Sequence, residues 1–273
     1  MRFRAALLLS AIVAVGAFGL LLAQKPFVEY PGQDTGFPLP PDWNEKHEWV
    51  FGRLRYSPYD GGGGRGFGRR GFGRSSWGTD YPQGDRLLVR GLRRITRLDA
   101  RSVEQVIDMD GTDDAYNWPF LYAVEVGRWS LSDKEAAQMR DFINRGGFFM
   151  VDDFHGTYEW KVFEESMHKV FPDRPIVDLT NDDPIFHNVF DLVERVQVPG
   201  AQFIRSGRTY EQDGYEARWR GIYDEKGRVV VAICHNMDLG DALEYSDEPA
   251  YPEKFAALAF RIVANYALYD MTH

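Results

Sequence analysis

The residues whose types can do chemistry crowd into three short acidic stretches of the 273-residue chain. "DDFHGTYE" carries Asp152, Asp153, His155 and Glu159; "NDDPIFH" carries Asp182, Asp183 and His187; "CHNMDLGD" carries His235, Asp238 and Asp241. Asp153 and His155 stand two apart, so an extended segment projects both to one side. A carboxylate beside an imidazole orients the ring, raises its pKa and makes it a base, or the two share a divalent metal. Asp153, His155 and His235 are therefore the catalytic candidates. Asp152, Asp153, His155, Glu159, His235, Asp238 and Asp241 are the candidates for lining a ligand pocket. No fixed spacing such as His-Glu-x-x-His occurs, so neither metal ligands nor a cofactor are assigned.

Structural roles compete for the same residues. Asp152 or Asp153 can accept backbone N–H bonds of the turn before the next helix, with Thr157 as its cap. Alternation along an extended chain sends the two side chains to opposite faces, which predicts Asp152 on the turn and Asp153, on the side of His155, in the pocket. Asp183 precedes Pro184 and is accounted for by an Asx-turn; His187 reads as packing or capping. Cys234 adjoins His235, but neighbours on a strand point to opposite faces, so a buried, inert thiol is expected.

The elements that must position these residues are legible around them. "GGFFMVDD", residues 146 to 153, is an apolar run ending in acids, as expected of a buried parallel strand whose carboxyl end opens on a ligand edge. An earlier strand at 120 to 126 is followed by a helix with a Ser132/Glu135 capping box and a Gly146 stop, completing a parallel βαβ unit. A first strand lies within 48 to 56. Leu87, Leu88, Leu92 and Ile95 mark the apolar face of a helix whose outer side carries Arg86, Arg90, Arg93, Arg94 and Arg97. Trp160, Phe163, Met167 and Val170 trace another helix, "RPIVDL" a further strand, and "RWRGIYDEKGRVVVAICHN" a hairpin turning at Asp224 to Gly227. A closing amphipathic helix follows Pro252. If the strands before the first and third acidic loops run parallel, those loops converge at one sheet edge.

The first two dozen residues pair Arg2 and Arg4 with an uncharged run from Ala5 to Ala23, which reads as an export signal and is long enough to span a bilayer. Cleavage near Ala17 or Ala23 and retention as an N-terminal anchor both stay open. Either way the remainder is expected to be periplasmic or extracytoplasmic. Residues 25 to 47 read as a Pro-rich linker, 48 to 273 as one α/β domain, and 60 to 74 as a flexible Gly/Arg-rich insertion. A formal net charge of -9 argues against general affinity for nucleic acid, and 15% aromatic content suits flat or sugar-like ligands where exposed. Cys234 is the only cysteine, so no intramolecular disulfide forms.

The stretches "WGTDYPQGD" at 77 to 85, "GGFFMVDDFHGTYEW" at 146 to 160, "FPDRPIVD" at 171 to 178 and "CHNMDLGD" at 234 to 241 resemble the bacterial domain of unknown function, family 4159. The resemblance implies a flavodoxin-like fold of the class I glutamine amidotransferase-like group: a mostly parallel sheet with helices on both faces and an edge hairpin. A weaker likeness is to trehalose-utilisation proteins of that group. Amidotransferases there use a cysteine on a Gly-flanked elbow, whereas Cys234 lies inside "VVVAICHN", so glutaminase chemistry does not carry over. The expected function is an envelope-facing binding or scaffold domain for a protein partner or a small polar ligand. The alternative is a hydrolase of envelope or carbohydrate material working through an Asp/His cleft, with or without a metal.

Overall fold

Apolar runs short enough for strands alternate with amphipathic runs long enough for helices, and the computed structural model, which describes residues 25–32, 36–58 and 76–273, stacks them accordingly. The strands are β1 (Phe51–Arg55), β2 (Ser57–Pro58), β3 (Gln105–Asp108), β4 (Phe120–Val124), β5 (Trp129–Ser130), β6 (Phe148–Asp152), β7 (Val177–Asp178), β8 (Arg218–Tyr223) and β9 (Val229–His235). The helices are α1 (Gln83–Ile95), α2 (Asp133–Asn144), α3 (Gly156–Val170), α4 (Gln202–Ser206), α5 (Leu239–Glu244) and α6 (Glu253–Thr272).

Seven strands form one sheet in the order β3-β1-β4-β6-β9-β8-β7, and β2 pairs with β5 apart from it. From β3 to β9 all neighbours are parallel; β8 is antiparallel to β9, and β7 to β8. The five parallel strands, counted along the chain, lie in the order 2-1-3-4-5 of flavodoxin-like doubly wound sheets. Alternation assigns the two faces. Phe51, Phe120 and Met150 pack with Leu88, Leu92, Ala242 and Ile262 of α1, α5 and α6. Leu54, Leu121 and Phe149 pack with Met139, Phe142, Phe163 and Met167 of α2 and α3.

Local signals operate as the residue types dictate. Ser132 and Glu135 close a reciprocal capping box at α2, and Gly146, at φ 106°, ends the helix where an L side chain would be strained. Asp183 accepts the N–H of Ile185 in the expected Asx-turn. Two readings are corrected. Arg86 is buried rather than on the outer side of α1, and Ile95 is 43% exposed. The reason is the segment before β1, which keeps an irregular backbone yet lies against the domain: Glu29 and the carbonyl of Phe37 accept from the Arg86 guanidinium, which also meets Glu104 of the β3 approach. Thr157 does not cap α3; its N–H and hydroxyl both donate to Asp213 from a distant loop.

The hydrophobic leader, residues 1–24, and the Gly/Arg-rich insertion at 60–74 lie outside the described residues. Among the described residues no helix is long and apolar enough to cross a membrane.

Glu104 is fully buried, so removing its cation leaves an uncompensated charge in the core. Arg86→Met is expected to lower the unfolding free energy by about 3–5 kcal/mol, and adding Glu104→Leu to recover most of that loss. Urea unfolding of the two variants measures both effects.

Candidate functional site

Because β4, β6 and β9 run parallel, their carboxyl ends reach one edge, and each exits through a non-glycine residue in the left-handed region: Glu125 (φ 53°), Asp153 (φ 51°) and Asn236 (φ 64°). Asp80, in the connection from β1 to α1, joins them at φ 60°. That conformation is unfavourable for L residues by about 1–2 kcal/mol, least so for Asp and Asn, and it gathers where function over-determines the backbone. Here the surroundings hold it. Glu125 N–H donates to the Asp153 carbonyl at 3.0 Å, Asp153 N–H to the Met237 carbonyl at 3.1 Å, and Asn236 N–H to the Phe154 carbonyl at 3.0 Å, carrying the sheet past its last strand residues.

Asp152 continues the phase of Phe148 and Met150 and so faces α1, α5 and α6. Its Oδ2 accepts the N–H of Leu239 at 2.6 Å, the N–H of Gly240 at 3.0 Å and the Tyr122 hydroxyl at 3.2 Å. It is structural, as one reading expected, but it serves the start of α5 rather than its own turn. Burial, followed by the charge on Asp153, pushes Asp152 up to about 8 against those amide bonds. Asp153 is not extended as the alternation argument required; the left-handed turn nevertheless separates it from Asp152 and sets its Oδ1 3.2 Å from His155 Nε2.

Three carboxylates converge on that turn. Asp80, Asp153 and Asp238 each bring an oxygen within 4.8 Å of the other two, and Asp80, Asp241 and Glu244 form a second such group sharing Asp80. Asp80 and Asp238 are held well above the usual carboxylate range, first by burial and then by the neighbouring acids; Asp241 is raised by burial as well. Asp238 accepts the Asp241 N–H at 2.8 Å and Asp241 accepts the Ala201 N–H at 2.5 Å, so both also shape the loop. His155 is buried, which opposes its charging, yet the bond and charge of Asp153 outweigh that and raise it. Its Nδ1 has no hydrogen-bond partner among the described residues.

The other candidates fall elsewhere. Glu159 accepts the His155 N–H at 2.7 Å and pairs with Arg128, tying the first turn of α3. His235 does not enter the acidic cluster: it lies on the opposite face between Phe154 and Trp160, with Nε2 3.2 Å from the Gly156 carbonyl and Nδ1 3.2 Å from Arg220. Burial pushes it down to about 4, so it is neutral and packed. Cys234 is buried with its thiol raised by burial. In the second stretch Asp182 and His187 are exposed, and Asp183 is bonded to Tyr223, away from this edge. A groove lined by His168, Phe171, Arg174 and Ile222 shares no residue with the cluster.

Asp80 and Glu125 escaped the reading of the three stretches. Asp80 sits in "GTDYPQGD", which looks like an ordinary turn. Its available signal was topological: the connection after the first strand borders the switch point between β1 and β4, where doubly wound sheets bind ligands.

Fold and site together define a doubly wound α/β domain with an acid-rich carboxyl edge. The chain belongs to the family described as Domain of unknown function (DUF4159), whose model matches residues 51–271. No curated protein matches the chain.

Folded Asp152 keeps its proton to about 8, whereas an unfolded aspartate ionises near 4, so between those values the native state binds more protons and stability falls as pH rises. The unfolding free energy of the wild type is expected to decline across that window with a steeper slope than that of Asp152→Asn, which cannot titrate. Asp152→Ala, which strands two buried N–H donors, is expected to cost roughly 2–5 kcal/mol. Chemical denaturation at several pH values checks both.

Proposed function

We propose that this is an envelope-facing binding domain, exported or anchored through residues 1–24, that holds a small polar ligand or protein partner at the acidic carboxyl edge of its sheet. The observation that carries this reading is the convergence of Asp80, Asp153, Asp238, Asp241 and Glu244 at that edge. Like charges there repel anionic ligands, so cationic, hydroxyl-rich or metal-bound ligands suit it. Glutaminase chemistry has no support, because the sulfur of Cys234 is sealed in the core and its thiol is raised rather than activated.

One observation favours hydrolysis as a second reading. Asp153 orients His155, whose Nδ1 is without a hydrogen-bond partner among the described residues, and a charged imidazole in that position would serve as a general acid. His235 takes no part in that version.

A thermal-shift panel of polyamines, amino sugars and oligosaccharides tests the first reading. At least one compound is expected to raise the melting temperature of the wild type but not of Asp153→Asn. No shift across the panel, together with no partner recovered by cross-linking in membranes, rejects binding. Turnover of chromogenic esters or glycosides that is lost in His155→Gln favours hydrolysis instead.

A further inference from the structure

The carboxylates at the sheet edge are not equally provided for. Asp152 accepts two backbone N–H bonds and a hydroxyl, Asp238 and Asp241 each accept a backbone N–H, and Asp153 is bonded to His155. Asp80 is fully buried, and among the described residues no N–H or hydroxyl donates to either of its carboxylate oxygens, which lie beside the carboxyl of Asp241. The nearby guanidinium of Arg53 gives Nε and Nη2 to Asp85; its charge attracts Asp80, but it makes no hydrogen bond to it. A buried carboxylate without a hydrogen-bond donor is unfavourable, and native structures resolve it by a raised pKa, by pairing or by metal coordination. Asp80 is also not isolated: its oxygens lie within the 4.8 Å groups formed with Asp153 and Asp238 and with Asp241 and Glu244.

We propose that Asp80, Asp153 and Asp238 together bind one hard divalent cation, with Ca²⁺ preferred over Mg²⁺. Two oxygens on one Ca²⁺ stand at most about 5 Å apart, twice the ion–oxygen distance, which the three carboxylates already satisfy. The donor set is oxygen only, which selects hard cations over thiolate- and imidazole-seeking metals. Ca²⁺ tolerates irregular cages of many protein oxygens, whereas Mg²⁺ keeps several waters and takes one or two carboxylates. Asp80 is the member whose carboxylate accepts no N–H among the described residues; His155 positions the Asp153 carboxylate, and the Asp241 N–H positions that of Asp238. The inference deepens the binding reading above, since the cation would be the element through which a hydroxyl-rich ligand is held.

The full chain, stripped with EDTA, is titrated with CaCl2 and with MgCl2 by calorimetry and by thermal unfolding. One Ca²⁺ per chain is expected, with a melting-temperature rise of about 5 °C or more near saturation and a smaller rise with Mg²⁺. Asp80→Asn is expected to weaken Ca²⁺ at least tenfold and remove the rise, while melting in EDTA at or above the wild-type temperature because the crowding of buried acids is relieved. Asp238→Asn keeps an equally good helix cap and is expected to weaken Ca²⁺ likewise, which guards against misfolding of the first variant. Asp42→Asn, which disrupts the more exposed group of Asp42, Glu45 and His47, is expected to leave the rise intact. No heat and no rise in the wild type, full affinity in Asp80→Asn, or loss of the rise in Asp42→Asn overturns the proposal. Calorimetry is run without organic ligand, so Ca²⁺ binding with a blank compound panel and no cross-linked partner rejects only the binding reading, and compound binding in EDTA without Ca²⁺ binding rejects only this one.

Discussion

The arrangement of the acidic edge hangs on one set of hydrogen bonds: Asp152 Oδ2 accepting the N–H groups of Leu239 and Gly240. These donors stand at the start of a helix, where backbone N–H groups have no intrahelical acceptor, so the carboxylate satisfies what the helix cannot. The bond joins the end of the central strand β6 to a segment far along the chain. By doing so it places Asp238 and Asp241 beside Asp153. Apolar packing of Leu239, Ala242 and Leu243 holds α5 over the sheet, and this bond fixes its start at the end of β6.

Closure has a consequence for charge. Burying several carboxylates in one place opposes folding unless protons, donors or cations are supplied. The protein supplies backbone donors to Asp152, Asp238 and Asp241, and His155 to Asp153. It also accepts left-handed backbone at Asp80, Glu125, Asp153 and Asn236 to aim these groups. Such concentrated expense at the edge where doubly wound sheets bind ligands is the physical mark that separates this cluster from a solvated acidic face. The basic side chains are used differently. Arg53 and Arg86 are drawn into the interior and neutralised by Asp85 and Glu104, so they hold β1 and β3 to α1 rather than present a cationic surface.

Much of the architecture was legible before any coordinates, because it rests on short-range rules. The capping box at Ser132 and Glu135, the helix stop at Gly146, the Asx-turn at Asp183 and the hairpin at Asp224 to Gly227 each depend on neighbours within a few residues. The mostly parallel sheet followed from apolar runs flanking an amphipathic helix. Misreadings came where distant segments intrude. Arg86 looked solvent-facing because helical periodicity takes no account of Glu104 and of Glu29 in the segment before β1. His235 looked like a partner for Asp153 because both follow strands at one edge, yet strand phase turns it to the opposite face against Phe154 and Trp160.

The sequence by itself determined the longer helices, the strands other than β2, β3 and β5, the alternation that makes an α/β domain, the burial of Cys234 and the presence of carboxylates at strand ends. Each of these is set by periodicity and residue type over a window that the chain cannot escape. Tertiary structure alone decided which carboxylates meet. Asp80 and Asp153 belong to stretches more than seventy residues apart, and Asp238 lies further still. Their convergence comes from parallel pairing of β6 with β9, from the left-handed exits and from the grip of Asp152 on α5. A long-range contact of this kind leaves no local pattern, because the sequence between the partners is constrained only by the need to bring them back to the same edge.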